Sequence, residues 1–482
     1  MDRQDQFILS IDGGTQSTKV AIFDLSGQEI CAHSVKLRPL DLSPDWRAEH
    51  PDDDLWDSLV AACQATLAKF SGDPKAIIGI GLGSIRCCRA LLRDDGTLAA
   101  PIQNWMDHRL SKPYEHTDDT VRYVTTTTGY LTHRLTGQAK DTRANYVGPW
   151  PIDPITLEWM DAADDFAAFT TPREMVFDLV DAGTIVGSVT DAASHATGLP
   201  VGIPVIATAN DKAVEALGAG LSQDGSVLVS LGTYIAGMMQ GDENTLDTQS
   251  YFCNPGAFPN EFLYESGGIR RGMSTVTWIK DLMGHDIETI AAQSGLSAEA
   301  YLNQVAASEV PAGSLGLFTV LNWLARPSNP HERGMMIGFN GSHKGPHMFR
   351  SILEGIAMTM KNNVMAMCAE RGTSPKRLII SGGGSNGDLF MQIFADVFNL
   401  EAVRNQVNGS ASLGAAICAA VALGVYPNRD EAIKNMVRVR DSFAPILENV
   451  AIYDQINETV YKHLATAMDP LLRTSHNLFF ED

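Results

Sequence analysis

Apolar residues at the start of the chain come in short blocks separated by polar turns. Phe7 to Ile11, Lys19 to Asp24 and Glu29 to Val35 are of strand length, with the turn-like Leu25, Ser26, Gly27, Gln28 between the last two. Runs this short, bounded by turn residues, predict buried strands, so a β-meander opens the chain. From Asp53 to Phe70 the period changes. Leu55, Leu59, Val60, Cys63 and Leu67 recur near helical spacing, and Ala76 to Leu82 then returns to a buried strand. Asp94, Asp95 and Gly96, flanked by apolar runs, mark a hairpin.

A second unit starts in the same way near Ser226. The apolar run Val227, Leu228, Val229 ends in Ser230, Leu231, Gly232, Thr233, and a strand follows over Tyr234 to Met239. Later, Arg377 to Ile380 is strand-like, Ser381 to Gly387 is a glycine-rich loop with free backbone N–H groups, and Asp388 to Val397 has helical periodicity. Leu413 to Val425, rich in small apolar residues and holding Gly414 and Gly424, is too short to span a bilayer and suits a tightly packed internal helix. Strand and helix alternate after each meander, which predicts mixed α/β sheets flanked by helices in two similar lobes with ligand between them. The expected hinge lies between Val201 and Asp224, giving domains over 1–220 and 221–482.

Composition narrows the function classes. A formal charge of −21 repels phosphate backbones and anionic lipid heads. The most basic short stretch, with Lys434, Arg438 and Arg440, reads as a solvated face, so neither nucleic acid nor membrane is an expected partner. Seven cysteines without CxxC spacing signal neither zinc nor a disulfide framework, and fit reduced thiols in a cytoplasmic compartment. The polar N-terminus does not read as a secretory signal.

Asp12, Gly13, Gly14, Thr15 at the end of the first strand run into Gln16, Ser17, Thr18, Lys19. Glycines let backbone N–H groups approach phosphate oxygens, hydroxyls add donors, Lys19 can offset charge and Asp12 can hold a hydrated magnesium ion; an ordinary hairpin turn is the alternative. Ser230 to Thr233 repeats the strand, glycine and threonine order, and two such hairpins facing each other would cradle a polyphosphate. No GxxxxGK[ST] occurs, and Gly79, Gly81 and Gly83 lie along a strand without a GxGxxG loop, so neither the P-loop nor the dinucleotide-binding class is supported.

In order along the chain, Asp12 to Thr15, Pro101 to Arg109 (PIQNWMDHR), Gly129 to Gly137, Ala209 to Gly220 (ANDKAVEALGAG), Ser230 to Thr233, Gly334, Leu353 to Gly355 and Gly382 to Asp396 resemble the FGGY family of carbohydrate kinases. The resemblance implies two actin-like (RNase H-type) domains with an active-site cleft between them, ATP and Mg²⁺, and transfer of a phosphoryl group to a small-carbohydrate hydroxyl. By position, Asp211 is implied as the base that takes the hydroxyl proton; capping of the helix beginning near Lys212 is the other role open to it. Asp12 is implied as the magnesium-organising carboxylate. Gly13, Gly14, Thr15, Ser17, Lys19, Gly232 and Thr233 are implied as phosphate contacts, and Gly382, Gly383, Gly384 and Asn386 as the adenosine loop. Arg86, Trp105 and Asp107 are candidate sugar contacts, with an ion pair, buried packing and a turn cap as their respective alternatives.

The chain departs from the family at Gly83, Ser84, Ile85, Arg86, Cys87, Cys88, where many members carry Gly-Gln-x-His-Gly. Arg86 resembles the arginine of glycerol kinases, but Cys87 stands where their glutamate follows, which disfavours glycerol. Between Arg109 and Gly129 the chain is short, as though helices beside the sugar pocket had been deleted, and a neighbouring subunit in a homodimer could complete that wall. A non-catalytic nucleotide or sugar sensor is the alternative function.

Overall fold

Strands form where the apolar runs lie. The computed structural model of the 482-residue chain describes residues 5–480 other than 44, 113, 149, 161–170, 327 and 408. The opening meander is β1 (Phe7–Gly13), β2 (Ser17–Asp24) and β3 (Glu29–Lys36), followed by α1 (Asp54–Lys69) and β4 (Ile77–Ser84). Then come α2 (Thr127–Thr136), β5 (Ile185–Ser188), β6 (Pro204–Ala207) and α3 (Asp211–Gly218). The first sheet has the order β5-β6-β4-β1-β2-β3, with β1 antiparallel to β2 and parallel to β4.

The second lobe repeats this arrangement. Its strands are β7 (Ser226–Leu231), β8 (Ile235–Gly241), β9 (Tyr251–Pro255) and β10 (Phe262–Ser266), and after the helices α4 (Gly272–Met283), α5 (Ala298–Glu309) and α6 (Gly345–Glu370) comes β11 (Arg377–Ser381). Next are α7 (Asp388–Phe398), β12 (Ala402–Asn405), α8 (Ser410–Ala422), β13 (Val439–Phe443) and α9 (Lys462–Phe480). The sheet order is β9-β10-β8-β7-β11-β12-β13, with β7 antiparallel to β8 and parallel to β11. The β1–β2 and β7–β8 hairpins thus hold the same place in the two lobes.

Both faces of the first sheet are covered, which is why its central strands read as nearly continuous apolar runs rather than alternating ones. On one face Leu9, Ile11, Val20 and Ile22 pack on Leu55 and Leu59 of α1 and on Leu131 of α2. On the other, Ile8, Ala21 and Phe23 join Leu217 of α3 and Leu413 and Ile417 of α8. Helix α8, which follows β12 of the second sheet, therefore covers the first sheet. It can do so because α3 and α8 cross backbone to backbone. A Cβ on Gly218 would lie 1.8 Å from the Ser410 carbonyl oxygen, and one on Gly414 would lie 1.8 Å from that of Val214. The tight internal packing expected of this Gly- and Ala-rich stretch is present, and it fixes α3, whose N-terminus carries Asp211. The Asp94–Gly96 turn also forms, with Arg93 N–H donating to Thr97 O at 2.8 Å.

Candidate active site

The two hairpin tips meet across the lobes. Gly14 N–H donates to Ser17 O at 2.9 Å to close the first turn, and Gln16 Nε2 donates to Thr233 Oγ1 of the second at 3.1 Å. Two cavities open from this junction. The larger, about 1340 Å³, is lined by Gly232, Thr233, Gly383, Gly384 and Asn386 and walled by Trp278 of α4 and Asn303 of α5. The smaller, about 530 Å³, contains Thr15, Arg86, Trp105, Asp211, Tyr234 and Glu265. Gln16, Gly232 and Thr233 belong to both, so a molecule held in one cavity reaches the other past the second hairpin.

Asp211 enters the smaller cavity because another residue caps its helix. Asn210 is the N-cap of α3, its side chain accepting from Lys212 and Ala213 N–H at 3.1 and 3.2 Å. Asp211 is the first helical residue, and its Oδ1 accepts from Lys212 N–H at 2.9 Å. Burial raises the Asp211 carboxyl above its ordinary range, against the pull of Arg86 and Lys212. Such a group is a better proton acceptor than a solvated aspartate.

Asp12, at the end of β1, is pushed up to about 7, first by burial and then by the Asp211 charge, with Lys19 and Lys212 acting against both. Its protonated form is therefore favoured below about pH 7 in the folded chain without ligands. The stability this contributes is present below about pH 4 and is lost as pH rises through 7. Replacing Asp12 with Asn is expected to raise the melting temperature near pH 8, by on the order of 1–4 kcal/mol of stability, and to change it little near pH 4. Scanning calorimetry of the nucleotide-free protein at the two pH values checks this; an Asn variant less stable at pH 8 would contradict it.

One ion pair between the lobes, and a second pair within α3 that reaches the other lobe by hydrogen bonds, surround Asp211. Arg86, just past β4, donates from Nη2 to both Glu265 oxygens of β10, at 2.9 and 2.7 Å. Burial works against the Arg86 charge, but Glu265 and Asp211 outweigh it. One residue beyond Asp211, Lys212 donates from Nζ to Glu215 Oε2 and to Ser230 Oγ, both at 2.9 Å. Glu215 Oε1 in turn accepts from Ser381 Oγ at 2.6 Å. Burial pushes the Glu215 carboxyl up, yet Lys212, Ser381 and Ser230 together bring it below its ordinary value. The helix that presents Asp211 is thereby tied to the strand end before each glycine loop of the second lobe.

The other candidates divide. Thr15, Gly232, Thr233, Gly383, Gly384 and Asn386 line the cavities, as do Arg86 and Trp105. Gly13, Gly14, Ser17 and Gly382 are not among the lining residues and shape the loops instead. Gly382 sits at φ 83°, and a Cβ there would meet the Leu231 carbonyl oxygen at 2.5 Å, so glycine lets the Ser381–Gly387 loop lie against the second hairpin. Lys19 pairs with Glu29 at 2.8 Å. Asp107 is the turn cap: its oxygens take N–H groups of Ala48 and Arg109 and the Arg109 guanidinium, and it does not line the cavity. Of the WMD segment only Trp105 does. Trp105, Val147 and Gly148 also line the smaller cavity. Gln16, Lys212, Glu215 and Glu265 were not legible as site residues, because each acquires its place through a partner on the opposite lobe, and Tyr234 was read only as the start of a strand.

Duplicated α/β lobes gripping a cleft between equivalent hairpins, with a buried carboxylate beside it, define an actin-like phosphotransferase. The chain belongs to the FGGY family of carbohydrate kinases. Residues 7–121 and 110–218 match its N-terminal domain and residues 227–423 its C-terminal domain. It is 50% identical over 473 residues to an uncharacterized sugar kinase, YgcE, of Escherichia coli, covering 98% of this chain and 96% of that protein. Its fold is similar to xylulose kinase from Rhodospirillum rubrum (TM-score 0.80, 23% identity, 97% of this chain and 100% of that one). It is also similar to gluconate kinase from Lactobacillus acidophilus (TM-score 0.81, 19% identity, 96% and 98%). As a carbohydrate kinase the protein is a phosphotransferase with an alcohol acceptor, and the family uses ATP. Among the described residues no helix is long and apolar enough to cross a membrane.

Proposed function

We propose that the protein transfers the γ-phosphoryl group of MgATP to a hydroxyl of a ketose, polyol or related small sugar in the cytoplasm, with Asp211 as general base. The observation that carries this reading is the junction of the two cavities at Gln16, Gly232 and Thr233, with Asp211 on the smaller side.

The larger cavity suits the nucleotide. Gly383 and Gly384 offer backbone without side chains to the adenosine, while the Gly232–Thr233 backbone and the Thr15 and Thr233 hydroxyls supply donors to the phosphates. The smaller cavity holds the acceptor between Trp105 and Tyr234, with one hydroxyl turned to Asp211. Asp211 takes that proton as the oxygen attacks, and positioning rather than covalent chemistry carries most of the catalysis.

Asp12 is a hard oxygen ligand, its proton held loosely enough to leave near neutral pH. No group of three or more potential ligands surrounds it among the described residues. Magnesium takes few protein ligands and otherwise relies on phosphates and water, so Asp12 would hold it together with the nucleotide phosphates. When bound, the ion neutralises charge on the phosphates.

Incubation with MgATP and a panel of pentuloses, hexuloses, polyols and sugar acids, following ADP release, tests the reading. At least one acceptor is expected to stimulate release well above the acceptor-free rate. Binding of ATP with no stimulation by any member would favour a sensor.

A further inference from the structure

We propose that Glu265 is a specificity-determining residue that closes the acceptor cavity to anionic sugars by occupying Arg86 from the opposite lobe. The inference rests on reading the 530 Å³ cavity as the acceptor site.

The charges lining that cavity are Arg86 and Lys212 against Asp211 and Glu265. Lys212 is engaged by Glu215, which lies outside the lining. Arg86 is the cation that a substrate carboxylate or phosphate would seek, since its guanidinium matches such groups. Glu265 already holds it through Nη2, and the Glu265 side chain is only 3% exposed, against 20% for Arg86. An anion that took the Nη2 group would have to displace Glu265. That carboxylate would then stay buried, with the Asn254 amide at 3.5 Å as its remaining recorded donor, and leaving one partner of a buried pair uncompensated is strongly unfavourable. An anion that bound without displacing it would face both Glu265 and the Asp211 carboxylate, whose charge the reaction requires.

A neutral acceptor meets neither obstacle. Hydroxyl or carbonyl oxygens can accept from the Arg86 Nε and Nη1 groups, for which no bond within the described protein is recorded, without disturbing the pair. The faces of a sugar ring or chain can lie on Trp105, Tyr234 and Phe252. Glu265 thus turns an arginine that would otherwise recruit anions into a donor for uncharged oxygens.

The test uses the full-length protein, MgATP and matched acceptor pairs of equal carbon number, an alditol or ketose against the corresponding aldonate or uronate. Wild type is expected to favour the neutral member by at least ~100-fold in kcat/KM, because with Lys212 engaged by Glu215 an anion meets the Glu265 and Asp211 carboxylates against the single charge of Arg86. Glu265→Gln keeps the size and an acceptor oxygen for Arg86 but removes the charge, and is expected to narrow that ratio by at least tenfold. A wild-type preference for the anionic member, or a ratio unmoved in Glu265→Gln, overturns the proposal. Should the variant not fold, the wild-type ratio decides. Should no acceptor be phosphorylated, the kinase reading fails by itself. The proposal is then judged by thermal shift with the same pairs: stabilisation by neutral members alone supports it, and equal or greater stabilisation by the anions rejects it.

Discussion

Replacing Asp211 with Asn lowers turnover by about 10²–10⁴, the usual contribution of a positioned base, while ATP affinity changes little. The amide has the same shape, and its oxygen can still accept from Lys212 N–H, so α3 keeps its start; the cap itself belongs to Asn210 and is untouched. What is lost is the ability to take a proton in the smaller cavity, whereas the glycine loops around the larger one keep their backbone donors. Removing the charge also removes the second-largest cause of the upward shift of Asp12, whose carboxyl then ionises at lower pH. The check is kcat with the best acceptor of the panel beside an ATP dissociation constant from calorimetry. Equal losses in both, with the melting temperature unchanged, would remove Asp211 from the role of base.

Lys212→Met is expected to lower stability by about 3–5 kcal/mol, because it leaves Glu215 buried with a charge and no cation beside it. Ser381 and Ser230 hydroxyls solvate Glu215 in part, but the ammonium is the larger of the influences that hold it ionised. Since Glu215 lies below its ordinary value in the folded protein, the pair contributes stability above the unfolded carboxyl range and loses it as pH falls through the folded value. Lys212→Met should therefore be most damaging at neutral pH. Adding Glu215→Gln to Lys212→Met should recover much of the loss, since the stranded charge is gone and the two sites are directly coupled. Denaturant unfolding of both single variants and the double variant measures this. Additive losses would mean that the pair does not act as a unit. The double variant should also show a lower kcat at nearly unchanged acceptor KM, because the link from α3 to Ser230 and Ser381 sets where Asp211 stands relative to the phosphate loops.

Local physics was the legible part. The Asp12–Lys19 and Ser230–Thr233 segments could be read as hairpins because turn residues between apolar runs act over a few positions, and both turns form. The helix expected over Asp53–Phe70 forms over Asp54–Lys69 for the same reason, its apolar stripe facing β1 and β2. Asp211 was legible only because ANDKAVEALGAG resembles a family motif; its composition alone does not separate a base from a helix cap, and Asn210 turns out to be the cap. Asp107 shows the converse, since a segment that matches the family holds a residue engaged in a turn.

What the chain dictates by its own order is a pair of meanders, each with a glycine turn after its first strand, with helices between the following strands, because periodicity and turn chemistry need no distant partner. The pairing of Arg86 with Glu265, 179 residues away, the touch of Gln16 on Thr233 and the laying of α8 over the first sheet were decided by the folded lobes alone. Each depends on where two surfaces meet in space, and a charge or a hydroxyl carries no local mark of the group it will face.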